Sequence, residues 1–223
     1  MRLEIIFEDN HLLVVNKPAG LPTQGAEEGQ PSLATEAKAY LKKKYQKPGN
    51  VFLGVVSRLD SLVTGVIVLA RTSKAAARLN EQFRDADVEK IYWAAVEQSP
   101  PSERGTCEDW LVKDDSQQRM VIVSEGYPGA QRARLHYQWL DQTSSAALLC
   151  VKLETGRKHQ IRLQLSAIGC HVIGDKKYGS RRPFGNGIAL HARQLTIKHP
   201  TREEELTFSA PLPPSWEVFG FAE

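Results

Sequence analysis

Arg58 and Asp60 are residues whose type and spacing suggest chemistry. They lie two apart inside Val55-Val56-Ser57-Arg58-Leu59-Asp60-Ser61-Leu62-Val63-Thr64-Gly65-Val66-Ile67-Val68-Leu69-Ala70, where β-branched apolar runs bracket a short polar link. Two readings fit. One is a solvated strand connection, the commonest fate of loop charges. The other is a catalytic carboxylate at the base of a cleft, with a guanidinium beside it, on a loop fixed at both ends by core strands. Tyr92 lies in Lys90-Ile91-Tyr92-Trp93-Ala94-Ala95-Val96, a run of strand character whose alternation turns it away from Ile91 and Trp93. Taken locally it is a half-buried core aromatic. Arg162 follows Ile161 by about 100° around a predicted helix, at the edge of the buried stripe, where an arginine snorkels or reaches a carboxylate.

The elements that must position these residues follow from periodicity and punctuation. Residues 3–7 and 12–16 read as a hairpin around Glu8-Asp9-Asn10-His11, and Asn16-Lys17-Pro18-Ala19-Gly20-Leu21-Pro22 then breaks regular structure. Ser32 is the expected N-cap of a helix whose Leu33, Ala37, Tyr40, Leu41 and Lys44 recur at helical spacing. Ser73 is expected to cap a second helix, to about Phe83, with Ala76, Ala77, Leu79 and Phe83 as its apolar stripe. Short strands are expected around 110–112 and 120–123, paired strands over 132–140 and 146–153, and two more near 190–197 and 205–208. A third helix is predicted from about Lys158 to Ile168, with Gly169 as its C′ residue.

At 223 residues, with no repeats and no clear linker, the chain reads as one mixed α+β domain spanning 1–223, with a large, mainly antiparallel sheet and few helices. Three cysteines, Cys107, Cys150 and Cys170, are odd in number and match no zinc pattern, so they are expected as reduced, buried thiols. No signal pattern or membrane-length apolar run is present, and a soluble, cytoplasmic protein is expected. A net charge of +3 is too mild to demand a polyanionic partner, but bases cluster at Lys42-Lys43-Lys44, Arg157-Lys158, Lys176-Lys177 and Arg181-Arg182.

Four segments in order resemble the RluA-type pseudouridine synthases, which convert uridine to pseudouridine in RNA. They are Val14-Val15-Asn16-Lys17-Pro18-Ala19-Gly20-Leu21; Arg58-Leu59-Asp60 with Thr64-Gly65-Val66; Lys90-Ile91-Tyr92; and Thr155-Gly156-Arg157-Lys158-His159-Gln160-Ile161-Arg162 with Gly174-Asp175-Lys176-Lys177-Tyr178-Gly179. The resemblance implies the pseudouridine synthase fold, a mainly antiparallel mixed sheet with flanking helices and loops around a central RNA-binding cleft. It implies the catalytic domain alone, without an S4 domain. It makes Asp60 the catalytic aspartate, Tyr92 the aromatic residue against the target base, and Arg162 the partner of Asp60. Arg58, Lys17, Leu59, Arg157, His159, Gln160 and Ile161 are the implied substrate and RNA contacts, with Arg58 able to fill the space of a flipped nucleotide. The chain departs from the usual pattern at Ser57, where relatives carry His, at Val63-Thr64-Gly65 for Thr-Ser-Gly, and at Gln164 for a frequent His.

The implied reaction breaks the N1–C1′ bond, turns the detached uracil and joins C5 to C1′. No atoms enter or leave, so neither cofactor nor metal is expected. Asp60 would attack C1′ to form an ester or remove the C2′ proton to form a glycal. Arg162, always charged, would hold it ionised against desolvation. Tyr92 offers a flat ring and a hydroxyl, and base flipping is expected. The expected partner of this monomer is ribosomal or transfer RNA, chosen by loops around 23–30, 99–131 and 180–188. A glycoside hydrolase ordinarily needs two flanking carboxyls where the motifs supply one. The alternative is a non-catalytic RNA-binding or RNA-chaperone protein on the same fold.

Overall fold

The computed structural model describes residues 3–25, 30–202 and 204–221. In chain order its elements are β1 (Glu4–Glu8), β2 (Leu12–Lys17), α1 (Leu33–Lys44), β3 (Gly54–Val55), β4 (Thr64–Ala70), α2 (Ser73–Arg84) and β5 (Glu89–Val96). They continue as β6 (Arg104–Asp114), β7 (Arg119–Val123), β8 (Gln131–Gln142), β9 (Ala147–Leu153), α3 (Gln160–Ala167), β10 (Leu190–Lys198) and β11 (Glu205–Ser209). The fold is α+β, with few helices and mainly antiparallel strands, as the sequence leads one to expect.

By its contacts the chain divides into two compact units, Met1–Glu89 with Ala192–Leu212, and Lys90–His191 with Pro213–Glu223. Of the three crossings, the one from Leu212 to Pro213 follows β11, and the other two fall inside strands, β5 and β10. That is why no Gly- or Pro-rich linker in the sequence marks those two.

In the first unit β2 pairs with β1 and β4 in antiparallel register, Lys17 opposite Gly65 and Val15 opposite Ile67. β3 also pairs with β4, and β11 with β10. Every residue of β4 is buried, which accounts for its unbroken apolar run, since a strand covered on both faces has no polar side to show. Leu33, Ala37 and Leu41 of α1 pack on Leu13, Val15, Ile67 and Leu69. This helix starts where expected: Ser32 Oγ accepts from Thr35 N, and Thr35 Oγ1 accepts from Ser32 N at 2.8 Å, a reciprocal cap with Thr in the third position. For α2 the cap is Thr72, not Ser73, because Thr72 Oγ1 accepts from Ala75 N, and the buried face is Ala75 and Leu79.

In the second unit the antiparallel order is β5-β9-β8-β6-β7. The 99–131 stretch, expected as a polar excursion with short strands, is mostly the long β6–β7 hairpin. Helix α3 lies over these strands, with Leu163 against Leu111, Met120 and Ala133. It is shorter than expected because His159 takes a left-handed φ of 54° and starts the helix at Gln160. Gly169 is the C′ residue, with a φ of 83°. Cys107 and Cys170 are buried thiols whose pKa values burial pushes up to about 11, and Cys150 is a half-buried cysteine outside any disulfide.

Candidate active site

The loop between β3 and β4 carries Arg58 and Asp60 and is held almost entirely by the segment after β2. Lys17 points inward and is fully buried, and its ammonium donates to the carbonyls of Pro18 (2.8 Å), Leu21 (2.8 Å) and Ser61 (3.1 Å). Ser61 O also accepts from Gly20 N at 2.8 Å. Thr23, likewise buried, donates to Leu59 O at 2.9 Å and accepts from Leu59 N at 3.1 Å. Asp60 is therefore flanked on both sides by anchored backbone. Its Oδ1 accepts from Leu62 N at 3.0 Å and from Ser61 Oγ at 3.3 Å, an Asx turn that sets the carboxylate's direction. Burial lowers the Lys17 pKa to about 8, while the Asp60 charge pulls it back up.

These contacts correct the expectation that Lys17 holds a phosphate. A lysine with no exposed surface and three carbonyl acceptors positions the loop instead. Leu59 is half-buried against the core of the first unit, so packing is its main contact. Arg58 is exposed, which suits a residue meant to meet RNA. Thr23 was not legible from sequence; the only hint is a threonine directly after Pro22. Gly65, at φ 115° opposite Lys17, has to be glycine, since a Cβ there would fall onto the Ala192 backbone.

In the second unit Tyr92 sits on β5 opposite Val151. Its hydroxyl has no hydrogen-bond partner among the described residues, and burial pushes its pKa up to about 12. At neutral pH the hydroxyl is therefore protonated. Arg162 on α3 is buried and gives Asp175 two parallel bonds, Nε to Oδ2 at 2.6 Å and Nη2 to Oδ1 at 2.7 Å. Its guanidinium also lies over the Tyr178 ring, 5.0 Å from the centroid. Snorkelling is thereby ruled out for Arg162, and Asp175 is the partner that sequence reading missed. Gly174, at φ 90°, is where the chain turns back to present it.

The remaining predicted contacts separate by burial. Gln160 is buried, its Oε1 accepting from Thr155 Oγ1 (2.8 Å) and Arg157 N (3.0 Å) while its Nε2 donates to Arg134 O (3.1 Å), and Ile161 is a core side chain. Neither presents surface to an RNA; both shape the loop that carries Arg157. His159 is half-buried and its Nδ1 meets Tyr178 Oη at 2.9 Å, which ties the start of α3 to the Asp175 turn. Arg157 is exposed and its Nε donates to Arg132 O at 3.0 Å. Gln164, standing for the frequent His, is buried and donates from Nε2 to Asp109 Oδ2 (2.7 Å) and Ala133 O (3.2 Å), fastening α3 to the strands beneath. Ser57 is half-exposed and makes no hydrogen bond among the described residues.

The sequence profile described as RNA pseudouridylate synthase matches residues 11–167, more than half the chain and all three residues Asp60, Tyr92 and Arg162. The chain belongs to the RNA pseudouridylate synthase family. It is 35% identical to the ribosomal large subunit pseudouridine synthase D of Zymomonas mobilis, over 97% of this chain and 71% of that one. An uncharacterized RNA pseudouridine synthase of the same organism is 31% identical over 97% of both chains. Among solved structures, the human RNA pseudouridylate synthase domain containing 4 superposes with a TM-score of 0.81 at 30% identity, covering 97% of this chain and 93% of that one. As an RNA pseudouridine synthase the protein is an isomerase acting on uridine in RNA, in agreement with the resemblance carried by its four motifs. Among the described residues no helix is long and apolar enough to cross a membrane.

Proposed function

We propose that this synthase modifies uridines of large-subunit ribosomal RNA and that Asp60, Tyr92 and Arg162 do the chemistry. The observation that carries the reading is the anchoring of Asp60: backbone on either side of it is pinned by Lys17, Gly20 and Thr23, and its Oδ1 is oriented by Leu62 N and Ser61 Oγ. A carboxylate so held loses little freedom when it meets C1′ or the C2′ proton. Either encounter detaches the uracil and requires the ionised form of Asp60. Arg162 supplies a permanent counter-charge, kept in one orientation by Asp175. Tyr92 provides a ring for the free uracil and, with its pKa near 12, a hydroxyl that is protonated at neutral pH. In this reading the chain is one catalytic domain that works as a monomer in the cytoplasm. The ribosomal target is supported by the named activity of the Zymomonas mobilis relative.

The test is incubation of the protein with unmodified ribosomal and transfer RNA transcripts, followed by site-resolved pseudouridine mapping. Wild type is expected to modify a small set of large-subunit uridines and Asp60→Asn none. Sites confined to transfer RNA would overturn the target. Identical maps for the two proteins would return the non-catalytic RNA-binding reading.

A further inference from the structure

Lys90 is a charged residue that the site as described does not use. It is half-buried at the start of the second unit, and among the described residues its ammonium makes no hydrogen bond and no ion pair. Its charged neighbour is Arg157, another cation; burial first, and that like charge second, lower its pKa. A desolvated ammonium facing a guanidinium is unfavourable in the free protein, and an anion between the two relieves both penalties. Gly156 leaves the approach open: a Cβ there would lie 3.8 Å from Lys90 Nζ.

Arg157 is held in place rather than trailing in solvent, and Lys90 is half-buried. The loop is stapled by Gln160 Oε1 through Thr155 Oγ1 and Arg157 N, and Arg157 Nε is fixed on Arg132 O. Arg157 and Gly156 are exposed, so the anion has a path in. Lys90 and Tyr92 stand two residues apart on β5 and so share a face, separated by roughly 7 Å at about 3.3 Å of rise per residue. A nucleotide places its phosphate about one ribose away from its base, which is the reach this pair of residues spans.

We propose that Lys90 and Arg157 form an anion seat for a backbone phosphate of the nucleotide whose base rests on Tyr92. This deepens the proposed function and depends on its assignment of Tyr92. The seat is not the reacting group; it sets where the flipped nucleotide stops.

The probe is a fluorescein-labelled twelve-residue oligouridylate, titrated by anisotropy from low to high KCl with wild type, Lys90→Gln, Lys90→Arg and, as a remote control, Lys113→Gln. Lys113 is an exposed residue paired with Asp115. Lys90→Gln is expected to weaken binding several-fold and flatten the log–log salt slope by about 0.7, the value of one single-strand phosphate contact. Lys90→Arg restores both, and Lys113→Gln changes neither. In turnover, Lys90→Gln raises KM and leaves kcat within about twofold, as expected for loss of uniform binding. A second measurement needs no variant: a methylphosphonate at the seated phosphate of a synthetic substrate hairpin should cost wild type the same factor and cost Lys90→Gln nothing more. A Lys90→Gln protein with the wild-type slope overturns the seat and leaves the catalytic reading untouched. Wild type that binds no oligouridylate overturns the RNA contact and the seat together, whereas loss of modification in Asp60→Asn with normal binding bears only on the chemistry.

Discussion

Replacing Asp175 by alanine should damage this protein more than any loss of a surface charge. Its carboxylate is 1% exposed and the Arg162 side chain 4%, and two charge-assisted bonds of 2.6 and 2.7 Å join them. The substitution removes the two acceptors that Asp175 gives to a guanidinium that is almost wholly buried and cannot deprotonate. Breaking a buried pair from one side costs about 3–5 kcal/mol. For a chain of this size each kcal/mol moves Tm by about 2–4 °C, so the loss is on the order of 10 °C. Differential scanning calorimetry of wild type and Asp175→Ala measures it, and repeating the scan at high salt checks the cause, because a buried pair is poorly screened. The double replacement Arg162→Met with Asp175→Leu should regain most of the Tm while remaining inactive, separating the stability of the pair from its use. A Tm drop below about 3 °C for Asp175→Ala, equivalent to roughly 1 kcal/mol, would refute the claim that this pair is desolvated and holds Arg162.

Lys17 should impose an alkaline limb on kcat/KM near pH 8, since deprotonation leaves two N–H donors for three carbonyls and loosens Ser61; Lys17→Met should lack the limb. Its effect on stability has the opposite sign: the unfolded chain keeps the proton to near 10.5 while the folded chain loses it above about 8, so the contribution of Lys17 to stability rises with pH across that window, as pH-dependent denaturation will read. Gly65→Ala forces a φ of 115° on alanine and drives its Cβ into the Ala192 backbone, with an expected loss of about 2–5 kcal/mol measured by urea unfolding. Glu97 accepts from Ser180 Oγ (2.6 Å), Arg181 N (2.9 Å) and Arg182 N (3.1 Å), bonds that outweigh burial and lower its pKa. Glu97→Gln should therefore raise amide hydrogen exchange at Arg181 and Arg182. In wild type the same bonds are present above the ordinary carboxylate range and are lost as pH falls through the lowered pKa.

Local order was written plainly in the chain. The β1–β2 hairpin, the Ser32 cap, the apolar run of β4 and the Gly169 stop depend on residues within a few positions of one another, and period and punctuation encode such relations directly. The family and its reaction were equally legible, because four motifs keep their order and wording over most of the length. Tertiary structure alone decided which way the charged and polar residues of those motifs face. Nothing beside Lys17 in sequence tells that three carbonyls, one of them 44 residues away, converge on its ammonium. Likewise Asp175 for Arg162, Thr23 for Leu59 and Arg134 O for Gln160 are partners brought together by folding. A motif specifies residue types, whereas burial and the supply of acceptors, which turn a lysine from a phosphate contact into a strut, exist only after the chain has closed around it.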